Sequence, residues 1–156
     1  MIPIAAAIDT NLTKYAEEAL EALDGLPPDD LNTWKPRQEL ADINTFFALA
    51  THLVAASEFW TLHAVGGRPT NRDRAAEFLA RGSLDELRAR FDVWLSDCRQ
   101  MLAGLTKADL DREVTVADRP DIFIAGDRLL HAVAHSATHV GHLQIQRQLY
   151  DAEHPG

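Results

Sequence analysis

Seven histidines occur in this 156-residue chain, and four of them fall within twelve positions. That segment reads His131-Ala-Val-Ala-His135-Ser-Ala-Thr-His139-Val-Gly141-His142. Neutral imidazole is the commonest protein ligand for transition metals and a proton carrier near neutral pH. At about 100° per residue, with His131 at zero, a helix puts His135 near 40°, His139 near 80° and His142 near 20°. All four share one face. The i, i+4 pair His135/His139 has the spacing at which two ring nitrogens on one helix reach one ion. His131 and His139 are about 12 Å apart along such a helix, too far to share an ion whose metal–nitrogen bonds are about 2 Å. A third ligand must therefore come from another element. His52 and His63 are the candidates. His52 lies mid-helix among Phe47, Leu49, Leu53 and Val54, whereas His63 is within one turn of Gly66-Gly67. A site inside a bundle favours His52, because facing helices position ligands there and exclude water.

Blander roles compete with this one. A single histidine on an apolar face often just packs, and His131 and His142 suit contacts to backbone or solvent. His63 and His154 read as surface residues, and Trp60, Phe91 and Trp94 read as core. The arginines between 68 and 90 read as a solvated face balanced by Asp73, Glu77, Asp85 and Glu86, with framing of an anionic substrate as a further role. Metal-bound histidines usually donate their second nitrogen to a carboxylate or carbonyl. No Asp or Glu stands three or four residues from His52, His135 or His139, so such a partner must come across the bundle or from a carbonyl. No HExxH, GxSxG or phosphate-cradling glycine loop is present. Cys98 lies in a helical seam and reads as a buried hydrophobe rather than a nucleophile.

The elements that position these residues are helical nearly throughout. Ile4, Ile8, Leu12, Tyr15, Ala19 and Leu23 recur every three or four residues and predict a helix over about 4–24. Pro27, Pro28, Asp29 and Asp30 then break the chain, with a loop through Trp34 and Pro36. A second helix is predicted over about 40–65, stopped by Gly66 and Gly67, and a short one around Arg72–Ala80. Ser83 with Glu86 forms a capping box before the seam Leu84, Leu87, Phe91, Trp94, Cys98, Met101 and Leu105. That third helix ends near 103. Thr106 with Asp109 suggests one capped turn, Val114 and Val116 a short extended piece, and Arg119-Pro120-Asp121 a turn. The last helix runs over about 126–151, with Leu129, Leu130, Val133, Ala137, Val140 and Ile145 inward. The fold class is all-α: a four-helix bundle with a long crossover, between helices two and three or three and four.

Length suits a single domain over 1–156, able to bury a core without disulfide or metal. A composition of 46% hydrophobic and 25% charged residues argues against disorder. The net charge of −9 argues against nucleic acid or an anionic membrane as partner, and the first 65 residues hold ten acidic groups against three basic ones. One cysteine excludes an intramolecular disulfide. Met1–Ile8 lacks the basic start of a signal peptide, and no apolar run reaches membrane-spanning length. A cytoplasmic location is the expectation.

Several elements together resemble the DinB-like superfamily. They are the bundle order, Trp34-Lys35-Pro36 before helix two, the element Ala-Thr-His52-Leu-Val-Ala-Ala-Ser-Glu-Phe-Trp60, and the terminal HxxxHxGQ-like motif at His135–His142. The resemblance covers nearly the whole chain. It departs at His142, where the family usually has Gln, which reads as a change beside the ligands or in the pocket. His131 belongs with it there. The resemblance implies a divalent ion, zinc or nickel, held by His52, His135 and His139. It also implies chemistry like that of thiol S-transferases and isomerases that use mycothiol, bacillithiol or glutathione. Three neutral imidazoles leave an ion its full charge and an open position, the layout of a catalytic site. The working expectation is a low-molecular-weight thiol, deprotonated at the metal, attacking an electrophilic small molecule. Alternatives are hydrolysis by metal-bound hydroxide, a non-catalytic metal-binding stress protein, and a bundle whose histidines only pack. Pairing into a homodimer is also expected.

Overall fold

The computed structural model describes residues 1–36, 43–116 and 120–155. Four long helical rods form the predicted all-α bundle. The first, α1 (Pro3–Leu23), starts on proline, which lacks only an N–H that a first turn leaves unpaired anyway. It ends before Gly25, whose φ of +72° lets the chain turn sharply. Its buried stripe is Ala5, Ile8, Leu12, Ala16, Ala19 and Leu23, whereas Ile4 is 43% exposed and lies off the core.

The second rod is α3 (Phe46–Glu58), continued by a π-helical segment (Phe59–Val65). Thr45 caps it by accepting from the Ala48 N–H. Residues 43–45 are not helical, so this rod starts later than 40; positions 40–42 lie outside the described residues. Every residue from Phe46 to Ser57 is buried, which fits a helix covered on all sides. The third rod is α5 (Leu84–Gly104), and both halves of its Ser83/Glu86 capping box are formed. The fourth is α7 (Ala125–Glu153). Leu129 and Val140 are buried on it as expected, but Leu130 and Ile145 are 54% and 58% exposed. They sit about 100° round the helix from the core stripe, a displacement that an apolar count does not reveal.

Short elements link the rods. The stretch after Pro27 is not all loop: α2 (Pro28–Thr33) forms there, again with proline in its first turn. The helix around 72–80 shrinks to α4 (Arg74–Glu77), capped by Asp73. A Thr106/Asp109 capping box opens α6 (Lys107–Leu110). Then β1 (Glu113–Thr115) pairs antiparallel with β2 (Ile122–Ile124), Val114 opposite Phe123. Of the predicted Arg119–Asp121 turn, Arg119 lies outside the described residues.

Both α1 and α3 pack against α5 and α7, so α1/α3 and α5/α7 are the diagonals. The steps from α1 to α3 and from α5 to α7 therefore each join diagonal helices, one more such step than the pattern suggested. The core holds Leu12, Phe46, Leu53, Phe91, Trp94, Leu102, Leu129 and Leu143, all under 2% exposed. No helix is long and apolar enough to cross a membrane among the described residues.

Candidate metal centre

Helix α3 turns His52 toward α7, where His135 and His139 lie one turn apart on the facing side. Ring centroids stand 5.2 Å apart for His52/His135, 4.9 Å for His52/His139 and 4.4 Å for His135/His139. One nitrogen from each ring lies within 4.8 Å of the others, so the three could hold a metal ion. His63 does not join them. It lies in the π-helical segment, where its Nδ1–H donates to the Arg68 carbonyl at 2.6 Å, and it is half-buried rather than a surface residue.

The Nε2 atoms of His135 and His139 face each other at 3.2 Å. Two nitrogens bound tetrahedrally to one ion at about 2.05 Å would stand roughly 3.3 Å apart, so this separation suits a shared ion. The hydrogen-bond inventory points the same way. Only one of the two Nε2 atoms can donate to the other, and both Nδ1 atoms are buried without a partner. Two lone pairs turned toward one point suit a cation better than they suit each other. Burial pushes the imidazolium forms out of range: His135 is lowered to about 3 and His139 to about 4, with neighbouring histidines adding to the effect. Both rings are neutral at pH 7, as ligands must be.

His52 is held from behind. Its Nδ1–H donates to Oε2 of Glu77 at 2.7 Å, which leaves Nε2 with its lone pair for the site. Burial lowers the His52 value, against the raising effect of Glu77. Burial alone would raise the Glu77 carboxyl, but hydrogen bonds from Arg72 and His52 outweigh it and hold the carboxyl below its usual range. Arg72 grips both Glu77 oxygens, Nε to Oε1 at 2.5 Å and Nη2 to Oε2 at 3.0 Å. Its guanidinium also lies 5.1 Å from the centre of the Phe59 ring. Glu77 is only 6% exposed, which corrects its reading as part of a solvated face. It is the partner of His52 that the sequence left unnamed, and it comes from α4 packed on α3. Its place four residues after a capping Asp, beside Ala76 and Phe78 on a half-apolar turn, was the available signal.

His131 and His142 flank the triad on the same stripe of α7. His131 meets Trp60 edge to face at 5.2 Å, and His142 stands 5.4 Å from His139. Both are exposed. A cavity of about 280 Å³ opens beside His142, lined by Leu49, Ile145, Gln146 and Leu149 among others. Cys98 is 1% exposed beside Thr61, its thiol pushed up by burial to about 12, and it takes no part in the site.

The family model described as DinB superfamily matches residues 11–143. The chain belongs to the DinB superfamily. No curated protein matches it. The matched span includes all three converging histidines, and it ends one residue beyond His142.

Proposed function

We propose that this DinB-superfamily protein binds a divalent ion, zinc or nickel, through His52, His135 and His139, and that it is a metal-dependent thiol S-transferase. The observation that carries the reading is the convergence of three neutral imidazoles from two helices, with Glu77 fixing the ring of one of them. The donor set is all nitrogen and uncharged, so a bound ion would keep its full charge and favour ionisation of a small thiol at neutral pH.

The chain's own residues do the rest. Glu77 accepts the Nδ1–H of His52 and so sets its tautomer, and Arg72 holds Glu77 in place from the other side. Ser57 and Ser136 share a hydrogen bond at 3.1 Å between α3 and α7, fixing the distance between the two ligand-bearing helices next to His135. The largely apolar cavity beside His142 offers room for the carbon skeleton of an electrophile within one turn of His139. No thiol of the protein competes, because Cys98 is buried and protonated.

The test is a conjugation assay on protein reloaded with zinc or nickel, using several low-molecular-weight thiols against chloro- and epoxide electrophiles. Thiol- and metal-dependent thioether formation supports the reading. Turnover in thiol-free buffer would point instead to hydrolysis, and metal uptake without any turnover to a binding role.

A further inference from the structure

We propose that Arg128 recognises a carboxylate on the small molecule that the histidine site takes. The thiol end of that molecule rests on the function proposed above; the acidic end rests on separate observations. Arg128 precedes His135 by seven residues, so it lies within about 20° of it around α7 and roughly 10.5 Å along the axis. It therefore extends the stripe of His131, His135, His139 and His142 at its N-terminal end.

The guanidinium lies against two aromatic rings set nearly at right angles, 4.5 Å from the centre of Phe123 and 5.2 Å from that of Trp60. Contact with ring carbons supplies no lone pair to the N–H donors of the group. No carboxylate or carbonyl fills that role among the described residues, and the Nε–H is buried without a partner. The contrast with nearby arginines is direct. Arg68 pairs with Asp97, Arg72 with Glu77, and Arg90 with Glu58. A half-buried cation that has aromatic walls but no counterion among the described residues is prearranged for an anionic ligand, and little side-chain freedom remains to be lost on binding. A carboxylate matches the fork of donors that arginine presents. The ligand class that follows is a small acid whose reactive end reaches the histidines while its carboxylate meets Arg128.

The experiment compares S-methylglutathione with its diethyl ester as probes, binding to the full chain free of metal, by calorimetry. The blocked sulfur makes the comparison independent of any bound ion. A chain of net charge −9 repels acids overall, so preference for the diacid requires a local cation. The acid is expected to bind at least 10-fold more tightly than the ester, and Arg128→Gln to erase the difference. Equal affinity of acid and ester in the parent chain, including no binding of either, would overturn the proposal, as would an acid preference that survives Arg128→Gln. A readout without any variant is the ¹⁵Nε resonance of Arg128, expected to move with the acid and not with the ester; movement with both or neither counts against the role. Metal content is measured separately. Its absence would count against the proposed transferase and leave the acid–ester comparison intact.

Discussion

Glu77 accepts the Nδ1–H of His52 at 2.7 Å across 25 residues of sequence, and both side chains are nearly excluded from solvent. A carboxylate there orients the ring and makes its far nitrogen a better donor. Glu77→Ala is therefore expected to weaken zinc binding by about 10- to 100-fold, measured by competition with a chromophoric chelator. Glu77→Gln keeps an acceptor oxygen but loses the charge, and should fall between Glu77→Ala and the parent. Unchanged affinity in Glu77→Ala would remove Glu77 from the site.

The π-helical segment is tied to the bundle by buried hydroxyls. The Trp94 indole N–H donates to Thr61 Oγ1 at 3.1 Å, and Thr61 Oγ1 donates to the Ser57 carbonyl at 2.7 Å. Both side chains are at most 1% exposed. Thr61→Val keeps the shape but strands the indole N–H, at a cost of about 1–3 kcal/mol. In a chain of this size that lowers the thermal midpoint by roughly 2–12 °C. Scanning calorimetry checks it, with retained zinc uptake expected in the folded variant. A midpoint within 1 °C of the parent would show that the bond contributes nothing net.

The rods and the converging histidines were legible because both follow helical periodicity. Ser83 and Glu86 announce a helix start, and His135 and His139 meet because four residues are one turn. What could not be read depends on chain path. Glu77 reaches His52 only because the segment after Gly67 folds back over α3, and nothing periodic encodes that return. The switch from α to π geometry at Phe59 was hidden as well, since Trp60 and His63 fit an ordinary helical spacing. Within that segment His63 bonds to the Arg68 carbonyl and Trp60 lies beside His131. The misplacement of Leu130 and Ile145 has a simpler cause: α7 carries apolar residues on two faces, and one of those faces is partly open.

The neutral histidines make stability depend on pH. The values of His135 and His139, about 3 and about 4, lie below the ordinary 6.5. Between those limits the unfolded chain binds more protons than the folded one, so stability rises with pH through the window and is lost as acid is added. The slope is on the order of 1 kcal/mol per pH unit for each ring. Metal-free protein is expected to lose several degrees of thermal midpoint between pH 6.5 and pH 5. The double substitution His135→Asn with His139→Asn should flatten that dependence. Identical pH profiles for parent and double variant would mean that other groups govern acid sensitivity.

Everything in the proposed chemistry requires an ion at the meeting point of His52, His135 and His139. Elemental analysis of protein purified without a polyhistidine tag measures this, alongside His52→Ala, His135→Ala, His139→Ala and the control His63→Ala. The expected result is about one zinc or nickel per chain in the parent and in His63→Ala, and a loss of at least tenfold in each of the other three. A metal-free parent after incubation with excess zinc and nickel, or an ion content that His135→Ala leaves unchanged, would contradict it.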